Sequence, residues 1–400
     1  MPQQIGWEKP DRAESQPIRV VHLISGLGRG GAEVFLSRLL QRMDQQVFSN
    51  QVISMTDSGP VAEQLRALGI GIETLDLRNG LNRLLGYPRI VMGLRRSNPA
   101  LIQSWMYHAD LAAVLAAPAS SSPPVIWNIR SSELRSNSDG RTTTWIAQFC
   151  ARLSGLPYAV VANSESGKEY HRAMGYHPKT WKVIHNGVDP QEFKPDDEAR
   201  NAVRAELGAS DDDVLIGLVA RYAAKKDHPT FLRAAELLLA DTPNVIFVLC
   251  GKGVSLENLS FARQFPDSLN MNRFRLLGER PDIERILPAL DISICSSSYG
   301  EGFPNVVAEA MACGLPCVVT DVGDSAYLVG NTGFVVPPAD PEALAASLKS
   351  LVEIGHAQRM NMGQAARKRI QTEFHIDQAV REYEALYLSA LETQIREQNR

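Results

Sequence analysis

Cysteine is scarce in this chain. Cys150, Cys250, Cys295, Cys313 and Cys317 make an odd set, with no CxxC pair and no zinc-like spacing, so they read as buried thiols in a reducing compartment. That excludes a disulfide scaffold and a structural zinc site. Long apolar runs are also missing: the longest wholly apolar stretch, Leu111 to Ala119, is too short to span a bilayer, so no transmembrane helix is expected. Residues 1–17, MPQQIGWEKPDRAESQP, lack the apolar segment of a secretory signal and read as a flexible polar tail. No repeat of solenoid period and no low-complexity tract is present. Together these absences point to a cytoplasmic globular protein, with nucleic acid not among its expected partners.

What is present fits two ordinary domains. A chain of 400 residues exceeds one core, and 44% hydrophobic with 22% charged residues is a soluble composition. Net charge is −4, yet residues 1–200 hold 22 Lys and Arg against 19 Asp and Glu, which makes the first half the basic one. No acid occurs between Asp76 and Asp110, while Arg78, Arg83, Arg89, Arg95 and Arg96 alternate with Leu81, Leu84, Leu85, Ile90, Val91, Met92 and Leu94. That mixture suits an anionic membrane surface, and it equally suits a solvated basic helix face over an apolar core. Peripheral attachment to the inner face of the cytoplasmic membrane is thus an open expectation.

Apolar runs and turn formers then order the chain. Arg19 to Ile24, Asn50 to Met55, Leu101 to Ser104, Val125 to Asn128, Ala159 to Asn163 and Lys182 to His185 read as strands, with helical segments between them. The pattern stops at Asn186-Gly187-Val188-Asp189-Pro190, a cluster of turn formers. Residues 18–190 form the first domain and 191–212 a linker containing a helix. A second series follows in 213–375: Val214 to Ala220, Val245 to Cys250, Phe274 to Leu277, Ile292 to Ser296 and Cys317 to Thr320. The C-terminal segment, 376–400, is one long amphipathic helix. The fold class is α/β, two doubly wound Rossmann-like domains whose strand ends and loops flank a shared cleft.

Candidate site residues fall on those ends. In YGEGFPNVVAEAMACGLPC, residues 299–317, Pro304 suits a first helical position and Gly314 with Pro316 a stop. Glu301 sits at the helix start and Glu309 one turn below Asn305. Carboxylates accept hydrogen bonds from sugar hydroxyls, and the unpaired first amides seat a phosphate. Arg221 ends a strand and Lys226 follows five residues later, two cations able to neutralise a diphosphate. The acidic run Asp211-Asp212-Asp213 precedes its strand and reads as a solvated turn. Gly26, Gly28 and Gly31 fit GxGxxG, but the expected acid about 20 residues on is missing. What remains is that Gly30 and Gly31 let backbone approach a phosphate or sugar. His108, in WMYHAD after a strand, is placed to take a proton from, or hold, a hydroxyl.

These segments resemble the retaining GT-B glycosyltransferases, of the group 1, family four type. The likeness spans nearly everything from Val20 to Tyr387 and rests on GGAE at 30–33, WMYHAD at 105–110, VIHNGVD at 183–189, ARYAAKKDH at 220–228, LGERPDI at 277–283 and EGFPNVVAEAMACGLP at 301–316. His185 departs from the family, which often has proline there. The resemblance implies that Glu301 and the turn Gly302, Phe303, Pro304 and Asn305 hold the donor sugar, that Val306 lies by the diphosphate and that Glu309 binds the ribose. It implies that Arg221 and Lys226 stabilise the leaving group, that Gly30 and Gly31 close over the donor, that His108 lies near sugar and acceptor, and that the turn Gly278 to Arg280 lies by the base. It further implies that the terminal helix crosses back to the first domain. The expected reaction moves a hexosyl or N-acetylhexosaminyl unit from a nucleoside diphosphate sugar, UDP before GDP, to a lipid-linked or glycan acceptor with retention, without metal or cofactor. A sugar-nucleotide epimerase of the same architecture and a catalytically silent binding subunit are the alternatives.

Overall fold

The computed structural model describes residues 16–78, 85–136, 140–242, 244–266 and 268–399. All but the last two residues of the expected tail, and Arg83 with Leu81 and Leu84, lie outside the described residues. The first sheet has seven strands: β1 (Ile18–Ile24), β2 (Phe48–Ser54), β3 (Gly71–Thr74), β4 (Leu101–Trp105), β5 (Val125–Ile129), β6 (Ala159–Ala162) and β7 (Trp181–Val183). Their order is β3-β2-β1-β4-β5-β6-β7 and every pairing is parallel. Helices cover both faces of a parallel sheet, so its central strands are buried throughout, as β4, β5 and β6 are.

The second sheet contains β8 (Val214–Val219), β9 (Val245–Cys250), β10 (Phe274–Leu276), β11 (Ile292–Cys295), β12 (Cys317–Thr320) and β13 (Phe334–Val336), in the order β10-β9-β8-β11-β12-β13 and again all parallel. Strand order reverses between β1 and β4 in one sheet and between β8 and β11 in the other. Chains leaving such a pair of strands diverge to opposite faces and open a crevice at the carboxyl ends. The glycine loop follows β1, Arg221 follows β8, and the segment leading to Glu301 follows β11, so topology alone brings these three loops to the crevices. The linker carries the helix Asp197–Glu206, whose Arg204 and Arg200 both reach Asp291 at the start of β11, at 3.1 and 2.7 Å.

The terminal helix Ile376–Gln398 buries Ile376, Ala379, Val380, Tyr383, Leu386, Tyr387 and Ala390, a stripe at helical spacing. That stripe belongs to the first domain's core, with Val20, Phe35, Leu39 and Trp105. Tyr383 stacks on Trp105 with ring centroids 6.3 Å apart, and its hydroxyl accepts from Asn128 at 2.7 Å. The crossing is fastened beside residues 374–376: Val188 donates to the Phe374 carbonyl at 2.9 Å, and Ile376 donates to that of Val188 at 3.1 Å. A side chain at Gly187 would collide with the Ile376 backbone, so this close approach requires glycine. All five cysteines are buried and free.

Candidate active site

A cleft of about 440 Å³ opens between the two sheets' carboxyl ends. Its first-domain wall is Arg29 to Glu33 after β1, Met106 after β4, Arg130 after β5 and Asn163 after β6. Its second-domain wall runs from Leu218 to Arg221, through Lys225 and Lys226, from Ile294 to Ser297 and from Gly300 to Val307.

At the centre of the second-domain wall, Lys226 Nζ donates to Glu301 Oε1, and Ser297 Oγ donates to the same oxygen at 2.7 Å. Lys226 ends a short 3₁₀ turn, and Ser296 Oγ fixes its carbonyl at 2.8 Å. Burial by itself would raise the Glu301 pKa, but Lys226, Lys225 and the Ser297 hydroxyl outweigh it and hold the carboxyl at about 2. Burial would lower that of Lys226, and Glu301 reverses this, raising it. Both groups are therefore charged at neutral pH. Arg221 is exposed and makes no ion pair among the described residues, leaving its five donors available to an anion.

The helix after this wall, Asn305–Ala312, begins one residue later than the sequence predicts. Pro304 is its cap rather than its first residue, and no side chain caps it. The first free amides belong to Asn305 and Val306, both cleft residues. Asn305 is also where the domains meet. Its Nδ2 donates to the Gly31 carbonyl at 3.4 Å, and its Oδ1 accepts from Asn186 Nδ2 at 2.6 Å. Asn186 Oδ1 accepts in turn from Arg130 Nη2 at 2.7 Å. Arg130 is half-buried, with its guanidinium over the rings of Phe35 and Trp105, 4.5 and 5.5 Å from their centroids. Sequence reasoning missed Arg130, Asn163, Asn186 and Ser297, which carry no local signal beyond their places at strand ends.

Of the residues expected at the site, Gly30, Gly31, Arg221, Lys226, Glu301, Gly302, Phe303, Asn305 and Val306 line the cleft. Three do not. Glu309 is buried one helical turn behind Asn305, where Arg38, from the first-domain helix Gly31–Arg42, donates to it from Nη1 at 2.7 Å and to Glu192 from Nη2 at 3.3 Å. Arg280 is engaged by Asp282, at 2.8 Å, and by Glu206, at 2.6 Å. His108 falls in the first turn of the helix Tyr107–Ala116, two residues beyond the cleft residue Met106, and burial lowers its pKa. The family departure His185 donates from Nε2 to Asp324 Oδ2 at 3.0 Å and stacks on Tyr327, a packing role.

The arginine stretch is partly spoken for. Arg78 pairs with Asp57 at 3.0 Å, Arg96 with Glu73, and Arg95 donates to the Ala119 carbonyl at 2.6 Å. Arg89 lies in the helix Gly86–Ser97, whose buried face is Ile90, Val91 and Leu94.

Comparison with known proteins places this geometry. Residues 199–369 match the family profile "Glycosyl transferases group 1", and residues 29–192 match "Glycosyltransferase Family 4". Among curated relatives, the Escherichia coli UDP-Gal:alpha-D-GlcNAc-diphosphoundecaprenol alpha-1,3-galactosyltransferase is 27% identical over 249 residues, covering 61% of this chain and 62% of that one. A D-inositol 3-phosphate glycosyltransferase from Nocardioides is 30% identical over 212 residues, 48% of this chain and 46% of that one. The chain thus spans about three fifths and about half of those relatives. Among solved structures, Anabaena HepE in complex with UDP and glucose superposes with a TM-score of 0.82 at 21% identity, over 93% of this chain and 100% of that one. Sucrose-phosphate synthase from Thermosynechococcus elongatus does so at 0.78 and 18%, over 94% and 100%.

Proposed function

This chain belongs to the group 1 glycosyltransferases of the family four type, with the GT-B fold, and from that premise we propose that it transfers a hexosyl or N-acetylhexosaminyl unit from a nucleoside diphosphate sugar to a lipid-linked or glycan acceptor, with retention and without a metal ion. The observation that carries this reading is the ionised Glu301–Lys226 pair on the second-domain wall, one helical cap away from the free amides of Asn305 and Val306. In the reading, Glu301 and the turn Gly302 to Asn305 accept and donate to the hydroxyls of the donor sugar. Arg221, Lys226 and the helix amides take the diphosphate, whose negative charge grows as the glycosidic C–O bond breaks; donors already fixed in a water-poor site stabilise that charge without reorganising. Glu309 receives the ribose once it exchanges Arg38 for the nucleotide, and Arg280 stands by the base. His108 holds a hydroxyl near sugar and acceptor, as a neutral ring at pH 7 because burial lowers its pKa.

The attacking acceptor hydroxyl forms the new bond to the anomeric carbon on the face the phosphate leaves, the leaving oxygen keeps the bonding pair, and the hydroxyl proton passes to the departing phosphate. UDP is the preferred nucleotide because UDP-Gal stands in the E. coli relative's name and HepE holds UDP and glucose. A membrane-borne acceptor fits the first domain, which exposes Tyr87, Met92, Leu115, Trp145 and Phe149 on three neighbouring helices.

A panel of nucleotide sugars against lipid-linked and free glycans, read by release of nucleoside diphosphate and by product mass, tests the reading. Glu301→Ala is expected to lose about 10³-fold in transfer or more, roughly 4 kcal/mol of barrier, while keeping its circular dichroism spectrum. Wild-type turnover by Glu301→Ala removes this carboxylate from the mechanism. An isomerised sugar from the donor alone points instead to an epimerase.

A further inference from the structure

Among the described residues, two carboxylates line the cleft. Glu301 is engaged by Lys226 and Ser297. Glu33, the last residue of the GGAE segment, sits on the opposite wall in the first turn of the helix Gly31–Arg42 and makes no ion pair among the described residues. It is half-buried. Its carboxylate folds back over Gly30, with Glu33 Oε2 occupying the space a Cβ there would take. The position three residues past the cap is that of a capping-box acid, and here the carboxylate takes a hydrogen bond from Glu33's own backbone amide in that first turn. The carboxylate is thus partly desolvated, held by one amide of its own helix with acceptor lone pairs to spare, and on the wall across from the donor groups.

We infer that Glu33 is the acceptor's anchor: its carboxylate accepts a hydrogen bond from the sugar hydroxyl that attacks the donor, and orients that hydroxyl toward the anomeric carbon above the Glu301–Lys226 pair. The assignment rests on the glycosyl-transfer reading above. It requires a hydroxyl-rich acceptor entering along the first-domain wall, between Met106, Arg130 and the glycine loop. Only the carboxylate form is a pure acceptor of hydrogen bonds. Burial raises the Glu33 pKa, and its own backbone amide with Arg130 and Arg221 works against that rise, while Asp57 adds to it. Those are the charged groups facing it, from the ends of β5, β8 and β2, and Arg29 shares the same wall.

The test uses the full chain and the first donor and acceptor pair that the wild type turns over in the panel, with UDP as the probe of the donor wall. Glu33→Gln keeps the size and loses the charge. Its kcat/KM for the acceptor is expected to fall about 10²-fold or more, with the UDP Kd within about twofold of wild type and the melting temperature unmoved. Glu33→Asp retains a carboxylate and is expected to recover part of the loss. The acid limb of the wild-type kcat/KM profile, set by a carboxyl titrating above the ordinary glutamate range, disappears in Glu33→Gln. Wild-type acceptor kinetics in Glu33→Gln overturn the assignment, as does an equal loss of UDP affinity, which makes Glu33 part of the donor wall or a helix cap. A wild type that turns over no pair in the panel refutes glycosyl transfer itself, and this inference with it.

Discussion

Replacing Lys226 by methionine removes the cation that keeps Glu301 ionised, and the size of the effect follows from the pair. Holding that carboxyl at about 2 rather than 4.5 corresponds to about 3 kcal/mol of folding stability at pH 7, in the range of about 3–5 kcal/mol for stripping one partner from a buried pair. The sign is that of a carboxyl whose pKa is depressed by folding. Its contribution is complete above the unfolded value near 4.5 and is lost as pH falls toward 2. In Lys226→Met, burial is left facing only Lys225 and Ser297, so the Glu301 pKa rises and the carboxyl takes up a proton more readily. The stability gap between wild type and variant is therefore widest near pH 7 and narrows as pH falls. Guanidinium denaturation followed by circular dichroism reads it, because all the tryptophans fall within residues 1–181 and fluorescence reports the first domain alone. With a slope of about 5 kcal/mol per molar for a domain this size, the midpoint moves down by about 0.6 M at pH 7. Lys226→Arg, which keeps the charge, is expected to lose less than half of that, and Lys226→Met with Glu301→Met to regain most of it. A gap as wide at pH 4 as at pH 7, or a double variant as unstable as the single one, refutes the claim that this pair is held by mutual charge.

The two sheets were legible because parallel strands covered on both faces are written as unbroken apolar runs, as VIFVLC in β9 and AVVA in β6 show. β3 and β13 escaped detection because they are short edge strands, half exposed, one opening on Gly71 and the other following Gly333, and a strand wet on one side and three or four residues long has no run to see. At the site, residues whose position depends on a strand end were readable: Arg221 just past β8, Gly30 and Gly31 after β1, Glu301 after β11. What was not readable is who meets whom across the cleft. Asn186 and Asn305 are 119 residues apart in sequence, and Arg38 and Glu309 are 271 apart, and neither pair leaves a mark on local pattern. Glu309 shares a helical face with Asn305, as its spacing predicts; what the spacing does not reveal is that the first-domain helix packs over the lower half of that face and sets Arg38 on the carboxylate. The sequence pattern places His108 at a strand end. The helix starts at Tyr107, directly after Met106 at a positive φ of 72°, and carries the histidine into its first turn.

Two further outcomes follow from the surfaces around the cleft. Trp145, 78% exposed, and Phe149 stand one turn apart on the helix Arg141–Leu153, between Arg141 and Arg152; vesicles rich in anionic lipid are expected to sediment the protein at low salt, and Trp145→Ala with Phe149→Ala to release it, whereas a wild type that stays in the supernatant dismisses bilayer contact. The second concerns closure. Arg38 ties the first-domain helix to Glu309 in the second domain and to Glu192 in the connection between them, with its guanidinium 4.9 Å from the Phe193 ring centre. Glu309 is buried and Arg38 nearly so, so water screens the pair little, and its coupling in a double-mutant cycle of Arg38→Met and Glu309→Gln is expected at about 1–3 kcal/mol. If the nucleotide ribose takes Glu309 from Arg38, the same cycle measured on UDP affinity has the opposite sense: Arg38→Met frees the carboxylate and tightens UDP binding about tenfold, since each 1.4 kcal/mol of competing interaction is a factor of ten, while Glu309→Gln weakens it. UDP binding that weakens equally in both variants shows instead that the ion pair assembles the donor wall and does not compete for it.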